Sequence, residues 1–156
     1  MNRTDGPNVA AIHLGDWRRV GGETFKHPTL PLEREGTLFL KDLLALTGFE
    51  VSLNALPPEK EAPFIHKHRE NEELYIVIKG HGQFQVDGQT FDIGEGSVIR
   101  VSPDGERAWR NNGTEPLCFI VIQSKANSMI KHLTDDGIRV KSEMVWPTSN
   151  EQALNK

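Results

Sequence analysis

The 156-residue chain is long enough for one domain with its own core and too short to favour two. Its formal charge of −4 comes from acids and bases scattered along the chain, which excludes the concentrated basic footprint of a nucleic-acid binder or of a protein drawn to an anionic membrane surface. The single cysteine, Cys118 in the apolar run LCFIVIQ, rules out an internal disulfide. With no apolar leader and no membrane-spanning stretch, it reads as a reduced, buried thiol in a cytoplasmic protein that acts on small molecules or other proteins.

Residues 1–36 are polar, dotted with glycine and punctuated by proline, and read as an N-terminal arm shaped by what it lies on. His13 and His27 fall within it. In TLFLKDLLALTG the leucines cluster and Gly48 offers a stop, predicting a short helix near residues 38–46. The period then changes to two. Phe49, Val51, Leu53 and Ala55 alternate with Glu50, Ser52 and Asn54, the pattern of a strand with one buried face.

Strand signals recur at FIHKH, ELYIVIK, GQFQV, QTFDI, SVIRV, RAWRN and LCFIVIQ, with Asp87-Gly88 as a tight hairpin connection. Many short strands between glycine and proline corners predict an all-β sandwich, jelly roll or barrel over residues 37–123. From 124 to 156 the alternation is lost. This C-terminal extension offers a helical turn in NSMIKHL, which contains His132, and apolar anchors from Met144 to Pro147.

The stretch HKHRENEELYIVIKG carries the chemistry. Side chains two apart on a strand share a face, so His66 and His68 project together. The same parity groups Glu73, Tyr75 and Val77 against Leu74, Ile76 and Ile78. If the turn RENE folds the second strand beside the first, Glu73 meets the histidines. Two imidazoles and a carboxylate, with other positions open to water or substrate, suit Fe(II), Mn(II), Ni(II) or Zn(II). The competing reading is a pair of hydrogen-bonded surface histidines in an acid-rich loop.

The run His66-x-His68-x4-Glu73-x6-Gly80 resembles the first motif of the cupin superfamily, and Pro103-x-Gly105-x2-Ala108-x3-Asn112 resembles the second. Together they cover roughly residues 49–123. The resemblance implies an all-β double-stranded β-helix, a jelly-roll barrel, that holds a divalent metal through His66, His68 and Glu73, takes a small-molecule ligand, and forms a homodimer. Lys60 stands where the first motif usually opens with glycine, and Ser97, with Gly96 one step earlier, where the second does. Ala108 occupies the usual place of a further ligand histidine, which cuts the protein ligands from four to three.

If position 108 faces inward, strand parity also turns Arg110 inward, beside the ion. There it would greet an anionic substrate group or pair with Glu73 in a metal-free pocket; at the barrel mouth it would merely cover apolar surface. Tyr75 and Phe84 line the pocket or the core. Trp109 points outward, as a subunit-contact residue. His81 sits in an exposed turn. Two functions follow from the resemblance: a metal-dependent dioxygenase, isomerase or lyase acting on a small oxygenated metabolite, carboxylate or sugar-like, or a non-catalytic small-molecule or sugar binder whose metal site is incomplete and only partly filled or empty.

Overall fold

The computed structural model describes residues 2–27, 31–131 and 133–146. In chain order these form β1 (Asn2–Gly6), β2 (Val9–His13), the one-turn helix α1 (Arg18–Gly21), β3 (Thr24–Lys26), β4 (Glu33–Glu35), β5 (Thr37–Phe39) and a second one-turn helix α2 (Lys41–Leu44). There follow β6 (Glu50–Leu56), β7 (Asn71–Lys79), β8 (His81–Val86), β9 (Gln89–Gly94), β10 (Val98–Val101), β11 (Arg107–Arg110), β12 (Leu117–Lys125) and α3 (Leu133–Asp136). His132 and Pro147 lie outside the described residues. The NSMIKHL segment has no helix before Leu133. Among the described residues no helix is long and apolar enough to cross a membrane.

The alternating stretches become two sheets, ordered β10-β7-β12-β6-β5 and β11-β8-β9, with antiparallel pairing throughout. Inward side chains from both sheets meet in one cluster that includes Tyr75, Val77, Phe84, Trp109, Leu117 and Phe119. Asp87 and Gly88 take φ of 50° and 80° and close the β8–β9 hairpin between Val86 and Gln89, as the Asp-Gly pair predicts.

The helix expected over 38–46 is reduced to Lys41–Leu44. Leu38 and Phe39 belong to β5, where they pair with Leu53 and Ser52 on the edge of β6. The open edge of β6 takes the segment as a strand before the helical turn begins. That turn ends on Ala45 at φ 53°, ahead of Gly48. FIHKH is likewise extended but not a ladder strand. It touches β11 through the single bridge His66–Arg107.

The N-terminal segment is more ordered than an extended arm. Hairpins β1–β2 and β3–β4 flank α1, and Val20 is fully buried with Leu40, Leu53, Ala55 and Cys118 on the outer face of the large sheet. Burying a Val or Leu side chain contributes ~1.5–3 kcal/mol, so this second core holds the arm firmly. The apolar face of β6 therefore turns outward to the arm, while Ser52 and Asn54, also buried, turn into the barrel. Gly36 makes the crossing feasible. At φ +70° it lies so close to β6 that a Cβ would sit 2.3 Å from the Ala55 carbonyl oxygen.

Candidate metal centre

Glu73 lies on the inner face of β7, two residues before Tyr75, so one strand runs from a carboxylate through a phenol into the apolar core. His66 and His68 come from the extended segment ahead of it. The His66 N–H donates to the Arg107 carbonyl at 3.1 Å, the Arg107 N–H returns to the His66 carbonyl at 2.9 Å, and the His68 N–H donates to Pro103 at 3.0 Å. With its backbone pinned on both sides of Lys67, the segment turns both imidazoles the same way, ring centroids 5.4 Å apart.

His68 Nε2 lies 3.0 Å from Glu73 Oε1, and His66 Nε2 lies 3.9 Å from Oε2. One donor atom from each of the three residues falls within 4.8 Å of the others, close enough to share one ion. His68 Nε2 is buried and makes no aligned hydrogen bond despite its nearness to Oε1. Arg107 Nε stands in the same relation to Oε2, 3.0 Å away and likewise unaligned.

The protonation states suit that role. Burial pushes the His66 pKa down to about 4, only partly opposed by Glu73, so the imidazole is neutral at pH 7 with its lone pair free. Burial alone would raise the Glu73 pKa. Its contacts with His68 and Tyr75 and the charge of Arg107 outweigh that effect and hold the carboxyl below its ordinary range. The Tyr75 hydroxyl donates to Glu73 Oε2 at 2.5 Å. Burial and the adjacent carboxylate raise this phenol well above its usual pKa, so it remains a donor.

Beside the three donors is a chamber of about 130 Å³ whose walls include Ser52, Asn54, Trp109 and Arg34. The Thr37 hydroxyl donates to Asn54 Oδ1 at 3.1 Å, and Asn54 Nδ2 donates to Ser52 Oγ at 3.0 Å, which fixes the amide. The polar half of β6 is thus the wall of the pocket.

Arg110 does not face the chamber. It is exposed, and its Nε donates to Gln83 Oε1 at 2.8 Å on the outer face of the small sheet. Trp109, expected outward, is 7% exposed and stands 5.8 Å from His66 and 5.4 Å from Tyr75 between ring centroids. The register explains the inversion. β11 sets Trp109 opposite Phe84 and Arg110 opposite Gln83, so the indole's apolar area takes the inner face. Ala108 faces the outer groove with Arg110. Phe84 is buried against Tyr75 at 4.9 Å in the packed part of the interior, and only Tyr75 of this pair reaches the chamber.

The inward residue next to Trp109 is Arg107, which sequence reasoning passed over. Its side chain is fully buried, with Nε 3.0 Å from Glu73 Oε2 and Nη1 donating to the Gly105 carbonyl at 2.9 Å. Asn111 reveals why. It is 1% exposed, and its Nδ2 donates to the Leu56 and Glu115 carbonyls while its Oδ1 accepts from Gly113. If Asn111 rather than Asn112 is the motif's asparagine, the motif is one residue short, and the vacant ligand place falls on Arg107. A buried guanidinium stands there, on the far oxygen of Glu73. Arg34, from β4, was also missed. Its guanidinium lies 5.6 Å from the Trp109 ring centroid, and its only sequence signal is a lone cation between two acids in an alternating triplet.

Two antiparallel sheets enclosing a two-histidine, one-carboxylate pocket define the double-stranded β-helix class with an internal metal-type site. The cupin domain family matches residues 53–123. A cupin protein of known structure from Bacteroides fragilis is 38% identical, with a TM-score of 0.65 over 67% of this chain and 88% of that one. The chain belongs to the cupin superfamily. A candidate sugar phosphate isomerase from Acidithiobacillus ferrooxidans, 24% identical with a TM-score of 0.61 over 75% of this chain and 76% of that one, shares the fold. An uncharacterised protein of Methanocaldococcus jannaschii is 31% identical over 71 residues, 45% of this chain, and the match spans 57% of that relative's length.

Proposed function

We propose that the chain is a metal-dependent cupin in which His66, His68 and Glu73 hold one divalent ion, Fe, Mn, Ni or Zn, and the adjoining chamber receives a small oxygenated metabolite. The observation that carries this is the convergence of three donor atoms, two imidazole nitrogens and a carboxylate oxygen, within 4.8 Å of one another. A bound ion supplies Lewis-acid or redox activation of a substrate oxygen, which fits isomerase, lyase or dioxygenase chemistry. The chain's own residues do the rest. Tyr75 and Arg107 hold the Glu73 carboxylate, Asn54 presents an oriented amide, and Trp109 keeps one wall dry.

A second reading has its own support. Arg107 already neutralises Glu73, both nearly inaccessible to solvent, so the carboxylate has a counter-charge without any ion. In that reading the chain is a non-catalytic binder of a small molecule. Metal analysis of protein purified without chelator or metal-binding tag decides between them. Stoichiometric metal that disappears in a His66→Ala/His68→Ala variant supports the enzyme; a chain that cannot be loaded with any of the four metals sinks it. The reading includes a homodimer joined at the β10 edge, where Val98 is 62% exposed beside β7. A monomer mass in light scattering on the same sample would remove that part.

A further inference from the structure

We propose that Arg34 is the anion-recognising residue of this site, and that the ligand is a carboxylate of two to four carbons whose acid group meets the Arg34 guanidinium while its remaining oxygens face His66, His68 and Glu73. The inference rests on the reading of those three residues as the reactive centre, and adds the substrate class and a residue from outside the barrel.

Placement comes first. Arg34 lines both the inner chamber of about 130 Å³ and an outer cavity of about 390 Å³, and Asn54 and Trp109 are likewise common to both. It therefore stands at their junction, where an entering ligand passes it. Its position is fixed by the arm. Phe25, opposite Arg34 in the β3–β4 hairpin, packs on Phe39 at 4.7 Å, and Gly36 lets the chain close onto β6 immediately afterwards. The guanidinium lies near the Trp109 ring, a placement that steadies the cation and leaves N–H edges to grip a planar, two-oxygen acceptor.

Charge comes second. Glu33 and Glu35, on either side of Arg34, are exposed and reach the wall of the outer cavity, where Lys60 and Glu61 also stand, and Glu33 pairs with Lys26 at 2.8 Å. Glu50, at the chamber's edge, turns its carboxylate to the backbone N–H groups of Lys41 and Val51 at 2.8 and 3.0 Å. Glu73 is occupied by Arg107 and Tyr75. Among the described residues Arg34 has no ion-pair partner, yet it is half-buried. Glu73 attracts it only from beyond contact distance, so a cation partly withdrawn from water has no counter-charge in contact, and an anion arriving from outside offsets that cost.

Size comes third. A chamber of about 130 Å³ holds the volume of about four waters, at ~30 Å³ each. It is well below the ~300–1,000 Å³ of pockets that enclose drug-sized ligands. Small hydroxy- and oxo-acids fit within it, with the acid group toward the mouth.

Calorimetry on the full chain, wild type, Arg34→Ala and Arg34→Lys, with lactate, pyruvate, lactamide and inorganic phosphate as probes, tests this. Bound metal and the thermal midpoint are measured on each sample. Lactate or pyruvate is expected to bind wild type and the neutral lactamide not to. Arg34→Ala should weaken the acid at least about tenfold, the scale of a lost charge-assisted hydrogen bond, with Arg34→Lys in between and the metal content unchanged. Equal acid affinity in wild type and Arg34→Ala, no acid binding to wild type at millimolar concentration, or tighter binding of phosphate than of either acid overturns the inference. A metal-free wild type that still binds acids through Arg34 sinks only the metal reading; a metal-loaded wild type indifferent to Arg34 sinks only this one.

Discussion

Along β7 the inward side chains pass from Glu73 through Tyr75 to Val77, and along β12 from Gln123 through Val121 and Phe119 to Leu117. Where Val77 and Leu117 meet Phe84 and Ile93, the facing sheets leave a void of about 10 Å³. Where Glu73 and Gln123 stand, they leave about 130 Å³. Apolar side chains have no directional demands and close on one another until the space is gone. The polar groups are each held by directed bonds, Tyr75 to Glu73, Asn54 to Ser52, Arg107 to Gly105, and those bonds set walls that cannot collapse inward. One barrel thus carries a stabilising end and a binding end on the same strands.

The sharpest way to break that division is Phe84→Ala. Phe84 is 1% exposed and packs on Tyr75, Trp109 and Phe91. Removing it leaves a cavity in the closed end and should cost ~3–5 kcal/mol. Denaturant unfolding measures the loss, and metal bound per folded chain should not change. A loss under about 1 kcal/mol, or metal lost while the chain stays folded, would show that the two ends are not separate.

The strands and the first motif were legible because their signals are local. Alternation in ELYIVIK or the Asp87-Gly88 turn needs no distant partner, and one intervening residue puts His66 and His68 on one side wherever the segment lies. The second motif failed on a single residue. With Asn111 in place of Asn112 as the motif's asparagine, the ligand place would move from Ala108 to Arg107, and because a one-residue slip in a strand exchanges its faces, the same shift turns Arg110 out and Trp109 in, as the structure has them. The bulk of Trp109 was the available corrective signal. The polar face of β6 looked solvent-facing because Ser52 and Asn54 are small and hydrophilic. Only the barrel around them makes it a pocket wall. Arg34 was hidden for the same reason, since nothing in the arm's own letters says which cavity it reaches.

Acid should act on the binding end. His66 takes up a proton at its ordinary pKa of 6.5 when unfolded but only near 4 when folded. Between those values the unfolded chain binds more protons, so stability is complete above the upper one and falls as pH drops toward the lower one. The depressed Glu73 pKa adds a loss of the same sign at still lower pH. The His66 contribution is on the order of 3 kcal/mol. Urea midpoints from pH 7.5 to 4 measure it, and His66→Leu should flatten the upper part of that slope. An unchanged slope in the variant would move the acid sensitivity elsewhere.

The smallest effects separate the two arginines of β11. In arginine and histidine the Nε atom lies the same number of bonds beyond Cβ, so Arg107→His sets an imidazole nitrogen where the guanidinium Nε now stands 3.0 Å from Glu73. It removes a fixed positive charge and adds a neutral donor, and both changes favour a divalent ion. Metal affinity, measured by competition with a chelator, should rise at least about tenfold, ~1.4 kcal/mol. Arg110→Ala removes a guanidinium of equal charge three residues away, but one turned to solvent and tied to Gln83, whose Nε2 in turn donates to Asp92 at 2.9 Å. Its effect on metal binding should stay within about 0.5 kcal/mol, the range of surface substitutions. Equal responses to the two changes would mean that net charge alone governs the site. A rise confined to Arg107→His would mean that the face of the strand decides, and that the place left by the missing ligand is the one Arg107 fills.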